Sequence, residues 1–124
     1  MTEEQKELLL KDLSARLPYG IKAEIKYYDG VCKLLAIYTN GTTYATRDVG
    51  NPIETYFEDC KPFLFPMSSM TKEQIKEFNG ITQRCNTYTG KATLLTDFCN
   101  KHHIDIRGLI NIGLALDATG LKIY

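Results

Sequence analysis

The sequence predicts an α+β protein in which a small antiparallel sheet of three to five strands is packed by an N-terminal helix and by C-terminal helices. Three observations predict this class. A capped amphipathic run opens the chain, two Asx-Gly turns separate alternating apolar segments in the first half, and helical spacing of apolar residues dominates the last third. An SH3-like barrel is the alternative in which the sheet curls on itself. With 124 residues, the chain is long enough for one domain with its own core.

The first residues of the chain predict a helix. Thr2 followed three residues later by Gln5 forms a capping box, in which each side chain bonds the backbone of the other residue. We expect the helix to end near Leu17, before Pro18, with Arg16 in a last turn whose dipole favours a cation. Helical spacing divides the side chains into two faces. The apolar face comprises Leu9, Leu10, Leu13 and Leu17, and the solvent face comprises Glu3, Glu7, Lys11 and Asp12.

Residues 21–57 predict antiparallel strands joined by tight turns. Asp29-Gly30 and Asn40-Gly41 are typical of two-residue hairpin turns, because both central positions of such a turn need positive φ. Two such turns in succession predict a three-stranded meander, and its second strand, apolar on both faces, should be central. The expected strands cover residues 21–28, 31–39, 42–46 and 53–57, with a loop over 48–52.

Residues 61–80 separate the strand-rich half from the helical half. Pro62 and Pro66 bracket three large apolar residues, and because proline pushes the preceding residue out of the α region, this stretch should be extended. At least two of the side chains at 63–65 should dock into the core. We therefore expect a single domain over residues 1–124 with three parts. These are a helix and meander over 1–60, the proline-bounded segment over 61–80, and a helical part over 81–124.

The chain after residue 70 predicts short helices. Thr71 and Gln74 form a second capping box, and Gly80 is the expected C-terminal stop of that helix. The remaining elements are assigned from apolar spacing and from glycine positions. They are an edge strand over 81–88, a helix over 93–103, a short helix from Asp105 to Gly113 and a terminal strand over 121–124.

The composition favours a cytoplasmic globular protein. The formal net charge is zero, with 7 basic and 10 acidic side chains in residues 1–60 against 8 and 5 in residues 61–124. No cluster of lysines and arginines forms the electrostatic surface that nucleic acids or anionic membranes need. The first residues are acidic where a signal peptide needs bases, and no segment is long and apolar enough to span a bilayer. No P-loop, dinucleotide fingerprint or other catalytic motif occurs, so no cofactor is expected.

Cys99, His102, His103 and Asp105 form the densest group of residues with reactive side chains. On a helix, Cys99 lies three and four residues before the two histidines, a spacing that presents two ligands to one zinc ion. The other ligands would have to come from elsewhere in the fold. Alternatively, Cys99 and His102 pack on the apolar stripe of their helix. A catalytic Cys–His pair is a third interpretation, although one short helix leaves little room for a substrate between them.

Two further sets of residues are candidates for binding. Arg107 opposes the dipole of the helix expected at Asp105, so it should pair with a carboxylate such as Asp117, or else grip an anionic group of a partner. Tyrosines on or beside the meander must lie partly on its outer face. Such side chains stabilise a sheet as cross-strand pairs, bind proteins or stack bases. The four tyrosines concerned are Tyr27, Tyr28, Tyr38 and Tyr44.

Three blocks of the sequence carry a resemblance that spans both ends and the middle of the chain. The blocks are LLLKDLSARLPYG, KPFLFPMSSMTKEQ and HHIDIRGLINIGLALDATGLKIY. Together they resemble a group of small, uncharacterised proteins encoded in gut Bacteroidetes genomes and in their phages and mobile elements. The resemblance implies a bacterial or phage cytosolic setting and an accessory role. It transfers no activity and no site residues.

The sequence therefore favours a non-catalytic accessory protein that binds another protein through its sheet or through an exposed strand edge. The absence of catalytic motifs and the tyrosines of the meander support this interpretation. A nucleic-acid-binding module is the first alternative, and a metal-binding protein or enzyme built on the Cys99–Asp105 group is the second. No membrane contact is expected, and pairing with a second copy of the chain stays open.

Overall fold

The structure, a computed structural model, is described here for residues 1–47, 51–84 and 88–124. The loop expected over 48–52 and the strand expected over 81–88 fall partly outside the described residues, and Cys85 falls outside them too. None of the described helices is long and apolar enough to cross a membrane.

The fold is α+β, as the sequence predicts. The helices are α1 (Glu3–Arg16), α2 (Lys72–Arg84) and α3 (Tyr88–Lys101). The strands in the described residues are β1 (Lys22–Ile25), β2 (Cys32–Ile37), β3 (Thr42–Thr46), β4 (Ile53–Tyr56), β5 (Cys60–Leu64) and β6 (Leu116–Asp117). They form one open sheet in the order β4-β3-β2-β1-β5-β6, in which only β5 and β6 are parallel neighbours. The sheet therefore has more strands than the expected three to five, and the SH3-like alternative is not adopted.

Helix α1 begins with the predicted capping box. The backbone N–H of Gln5 donates to the Thr2 hydroxyl (3.1 Å), and the backbone N–H of Thr2 donates to the Gln5 side chain (3.0 Å). Leu9 and Leu13 are buried in the main core against the sheet, as the apolar stripe predicts. Asp12, expected in solvent, is instead fully buried. The reason is that Asp12 pairs with two arginines, one of which is distant in sequence.

The meander of β1, β2 and β3 is present, but its first turn differs from the prediction. Ala23 pairs with Cys32. The midpoint of the connection between these partners therefore falls between Tyr27 and Tyr28, and not at Asp29-Gly30. Tyr27 takes the left-handed conformation, with φ of 73°. Because the β1–β2 ladder stops at the Ala23 pair, the connection is a wide loop and not a two-residue turn.

The second hairpin turns around Asn40-Gly41, as predicted, but through a three-residue loop and not the expected two-residue turn. The N–H of Tyr38 donates to the Thr42 carbonyl (2.8 Å), and the N–H of Gly41 donates to the Tyr38 carbonyl (2.9 Å). Gly41 has φ of 89°, which matches the left-handed residue that ends this type of loop. A Cβ atom at Gly41 would lie 3.3 Å from the ring of Phe57. Both the positive φ and this close approach of the ring therefore favour glycine.

The proline-bounded segment is an interior strand, β5, which the sequence predicts only as extended chain. It pairs antiparallel with β1 and parallel with β6. Pro62 lies opposite Ala23, and the pairing with β6 begins at Phe63, so the N–H that proline lacks is not needed on that side. Phe63 and Leu64 are buried, which confirms that at least two apolar side chains of this segment enter the core.

Helices α2 and α3 enclose a second apolar cluster. Helix α2 opens with the predicted capping box, in which the N–H of Gln74 donates to the Thr71 hydroxyl (3.1 Å). It continues through Gly80, so the predicted stop is wrong, and residues 81–84 are helical rather than part of an edge strand. The helix continues because Ile81 is buried against α3. The cluster comprises Ile81, Phe98, Cys99 and Ile104.

After α3 the chain forms turns instead of the predicted short helix. Asp105 still accepts backbone hydrogen bonds, from the N–H groups of Leu109 (2.8 Å) and Ile110 (2.9 Å). These donors lie four and five residues ahead, whereas a helix N-cap bonds residues two or three ahead. The strand of this region is β6, and residues 121–124 form no strand.

Replacing Gly41 by alanine should lower the free energy of unfolding by about 2 kcal/mol, and Gly30→Ala by about 1 kcal/mol. The two glycines have nearly equal φ, 89° and 87°, so both alanines carry similar backbone strain. Only the Cβ at position 41 meets another group, the Phe57 ring, since nothing lies within 4 Å at Gly30. Urea denaturation of both variants measures the difference. Equal losses would show that the Phe57 ring moves aside freely.

Candidate functional site

The outer face of the sheet, which α1 does not cover, carries polar and aromatic side chains. Inward-facing positions of the strands belong to the main core. On the outer face, Tyr44 lies between Ala36 of β2 and Glu54 of β4, and Tyr56 lies opposite Thr42. The antiparallel register therefore gathers residues from three strands at the β4 side of the sheet.

Three tyrosines and one leucine, all exposed except the half-buried Tyr44, form a surface there, which we call the tyrosine patch: Leu35, Tyr38, Tyr44 and Tyr56. The rings of Tyr38 and Tyr44 meet edge to face, with centroids 5.4 Å apart. Tyr38 is 56% exposed and Tyr56 is 59% exposed. Leu35 is the extra residue at a β-bulge and is half exposed. Since large apolar side chains usually avoid solvent, this group marks a candidate binding surface.

Strand β4 lies at the edge of the sheet, directly beside the tyrosine patch. The N–H of Phe57 donates to the Gly41 carbonyl on the β3 side (3.0 Å). Backbone groups alternate in direction along a strand, so those of Glu54 and Tyr56 point away from β3. The Tyr56 carbonyl receives a contact from the Cys60 thiol (3.6 Å). No other described strand pairs with this edge.

Tyr27 and Tyr28, two of the sequence candidates, lie at the opposite end of β2 from the tyrosine patch. The ammonium of Lys26 lies 5.2 Å from the ring centre of Tyr27, and the Arg47 guanidinium lies 5.4 Å from that of Tyr28. The four candidate tyrosines are therefore divided between two places. Tyr56, which the sequence analysis missed, joins the pair at the β4 side.

The Cys99–Asp105 group does not converge on a shared ligand position. Among the residues that the structure describes, no three His, Cys, Asp or Glu side chains lie close enough to hold a metal ion. Cys99 is fully buried, and burial raises the pKa of its thiol, the opposite of what a nucleophilic cysteine needs. The His102 ring packs on Phe98, with centroids 4.6 Å apart. This arrangement supports the packing interpretation of the group.

His103 closes α3 in a left-handed conformation, with φ of 57°. Its N–H donates to the Asn100 carbonyl (3.3 Å), and the N–H of Ile104 donates to the Cys99 carbonyl (2.8 Å). This pair of bonds is the Schellman motif, whose left-handed position usually holds glycine. Here the imidazole stacks on the ring of Tyr124, with centroids 3.8 Å apart and planes 14° apart. The stacking gives a physical reason for a histidine at a glycine-like position.

The Tyr124 hydroxyl bridges β1 and β5 where their ladder ends. It accepts a hydrogen bond from the N–H of Lys22 (2.9 Å) and donates one to the carbonyl of Phe63 (2.9 Å). Lys22 and Phe63 would be the next partners after Ala23 and Pro62 in the register. Burial raises the pKa of the Tyr124 phenol, so the hydroxyl keeps its proton and remains a donor.

A buried ion pair joins α1 to the end of α3. The Nε of Arg16 donates to both carboxylate oxygens of Asp12 (3.0 and 3.1 Å). Its two terminal nitrogens donate to the carbonyls of Cys99 (3.2 Å) and Ile104 (2.7 Å). Burial lowers the pKa of Arg16 from its ordinary value, and Asp12 opposes that shift. The guanidinium thus adds a second hydrogen bond to two carbonyls at and just after the C-terminus of α3, where a cation is favoured.

Arg107, a candidate for gripping a partner's anion, belongs to the same buried network. Its terminal nitrogen donates to the Asp12 carboxylate (2.8 Å) and to the Asn100 side-chain carbonyl (3.0 Å). A carboxylate partner was expected, but Asp117 is exposed and bonds Thr119 instead. Asp12 precedes Arg107 by 95 residues, a distance that no local pattern reveals. Arg107 therefore stabilises the fold rather than the binding surface.

Fold and surface together define a small α+β protein with a tyrosine patch beside a strand edge that no other described strand covers. Comparison of the chain with protein-family models, with curated proteins and with solved structures found no match. The function must therefore be argued from the residues of this chain.

Asp12→Asn should lower the free energy of unfolding by about 3–5 kcal/mol at pH 7, because two guanidinium groups lose their carboxylate inside the fold. Urea unfolding measures the loss. The matched variant Glu7→Gln removes an exposed carboxylate from the same helix and should change stability by less than about 0.5 kcal/mol. A D12N variant that fails to fold would agree with the expectation, and a loss below about 1 kcal/mol would contradict it.

The fold should lose stability in acid because of His103. Burial, helped by the nearby charges of Arg16, His102 and Lys22, lowers the pKa of His103 from 6.5 to about 4. Between these values the unfolded chain binds a proton that the folded chain does not. The contribution of the neutral His103 ring to the free energy of unfolding is therefore fully present above pH 6.5. It is lost as the pH falls towards 4, by on the order of 3 kcal/mol.

His103→Asn provides the matched control, because asparagine tolerates the left-handed conformation and does not titrate. Unfolding free energies at pH 7.5 and pH 4.5 are compared in both proteins, so that the effects of the carboxylates cancel. The wild-type protein should lose on the order of 2–3 kcal/mol more than the variant. Equal losses in the two proteins would show that folding leaves the pKa of His103 unchanged.

Proposed function

We propose that this protein is a non-catalytic interaction protein that binds an extended segment of a partner protein along the free edge of β4. The observation that carries the proposal is that the tyrosine patch lies beside an edge of β4 with which no strand in the described residues pairs, and that Tyr56 contributes to both. A strand added to an open edge gains main-chain hydrogen bonds, and neighbouring side-chain contacts provide specificity.

The tyrosine patch has the composition of a binding surface. Tyrosine is enriched at the centres of interfaces because it offers a large contact area with few rotatable bonds. Burying one such side chain contributes on the order of 2 kcal/mol. The edge-to-face contact of Tyr38 with Tyr44 already orients two rings, so less freedom is lost on binding.

Charge on the same surface favours a protein partner over a nucleic acid. Glu54 lies directly beside Tyr44 in the register and is exposed, so its carboxylate would repel the phosphates of a strand stacked on the tyrosines. The resemblance to proteins of gut Bacteroidetes and of their mobile elements supports an accessory role. It also indicates a bacterial cytosol as the place to look for the partner.

Glu54→Pro should abolish binding of the partner while the fold is kept. The N–H at position 54 points away from β3, so proline removes an edge donor without breaking the β3–β4 ladder. Tyr56→Ser, which removes a side chain of the tyrosine patch, should weaken binding at least roughly tenfold. The matched controls are Glu54→Gln, which keeps the N–H, and Tyr27→Ser, which removes an exposed tyrosine at the other end of β2.

The measurement is affinity capture from a Bacteroidetes lysate with all five proteins, followed by titration of the purified partner. A protein captured by the wild type and by both controls, but not by E54P or Y56S, supports the proposal. Proteins captured equally by all five would contradict it. So would a patch-dependent affinity for single-stranded DNA at low salt, or the absence of both a partner and self-association at micromolar concentration.

A further inference from the structure

A groove on the outer face of the sheet, at the opposite end of β2 from Tyr38, is lined by three lysines. It lies where β1, β2 and β3 meet the chain segment 121–124, and its volume is about 570 Å³. The lining residues are Lys22, Val31, Lys33, Thr46, Lys122 and Ile123. Residues from distant parts of the chain therefore converge on one position.

Three of the six described residues that line the groove are lysines, and none of the six is acidic. The strand register places Lys22 directly opposite Lys33 and places Lys33 opposite Thr46. Like charges directly opposite on neighbouring strands destabilise a sheet, by up to about 1 kcal/mol. Among the described residues, no carboxylate lines the groove, and none of the ion pairs includes these lysines. An anion bound between them would remove this repulsion.

The wall that carries Lys122 is held firmly in place. Tyr124 anchors it through its hydroxyl bridge between Lys22 and Phe63 and through its stacking on His103. The ammonium of Lys22 also donates to the carbonyl of Ile123. Lys122 has φ of 53°, a conformation that lysine rarely adopts. The segment that carries the third lysine is thus tied to β1 and β5 on both sides of Ile123.

We propose that this groove binds a dianionic phosphate group, either as free phosphate or as a phosphate ester. Three ammonium groups favour a dianion over a monoanion, and lysine acts as a point charge towards phosphate oxygens. The Thr46 hydroxyl at the groove adds a neutral donor. Val31 and Ile123 add apolar walls, which suit the organic part of an ester. The inference does not depend on the partner proposed for β4.

Isothermal titration at low ionic strength and pH 8, where phosphate carries two charges, tests the site with inorganic phosphate. Lys33→Gln and Lys122→Gln should each weaken binding roughly threefold to tenfold. The matched control is Lys61→Gln, which removes an exposed lysine of the same sheet that does not line the groove. It should leave the affinity unchanged. Lys22 is not altered, because its ammonium also holds the segment 121–124.

Two further ligands define the specificity of the groove. Phenyl phosphate that binds tighter than inorganic phosphate would assign the site to esters, and equal affinities would assign it to free phosphate. Acetate should bind at least roughly tenfold more weakly than phosphate, since it carries one charge. The proposal is overturned if phosphate binding does not saturate, if acetate binds equally well, or if K61Q weakens binding as much as K33Q and K122Q.

Discussion

The buried pair of Asp12 and Arg16 is the interaction on which the arrangement of the molecule depends. The main core holds α1 on the sheet, whereas a separate cluster holds α2 against α3. Arg16 belongs to α1 but donates to the carbonyls of Cys99 and Ile104, at the end of α3. Asp12 provides the charge that allows this guanidinium to be buried. The ion pair therefore fixes the two apolar clusters relative to each other.

From that junction, a series of contacts leads to the outer face of the sheet. Ile104 follows His103, whose ring stacks on Tyr124, and Tyr124 bridges Lys22 and Phe63. Ring stacking and hydrogen bonds thus link the end of α3 to the strands β1 and β5. The tyrosine patch, in contrast, depends mainly on the local meander and its three-residue loop at Gly41. The lysine-lined groove therefore depends on long-range contacts, whereas the tyrosine patch depends on contacts within the meander.

Much of the local structure could be predicted because it depends on neighbours in sequence. Both capping boxes, the hairpin at Asn40-Gly41 and the burial of Phe63 and Leu64 follow from short-range rules. Asp12 and Arg16 have the i, i+4 spacing of an ion pair, but the pattern alone does not reveal that both are buried. Gly80 failed as a stop because tertiary packing of Ile81 outweighs the local preference.

The candidate binding residues show the same difference between what sequence neighbours predict and what only the tertiary fold brings together. Tyr38 and Tyr44 are candidates from the sequence because they lie on the predicted meander, whereas Tyr56 lies on the predicted fourth strand, outside it. The lysine groove could not be foreseen, because only the register and the path of residues 121–124 bring its side chains together. Arg107 was recognised as an arginine in need of a carboxylate, but its partner lies at the far end of the chain.

The sequence separations of these contacts have a consequence for the order of assembly. Arg16 meets Ile104 across 88 residues, and Lys22 meets Tyr124 across 102, whereas the hairpin between β2 and β3 closes within a few residues. Long-range closure is slow relative to local pairing. During synthesis on the ribosome, the meander can therefore form early, while the Asp12–Arg16 pair of α1 lacks its partners in residues 99–107 until the last third of the polypeptide has emerged.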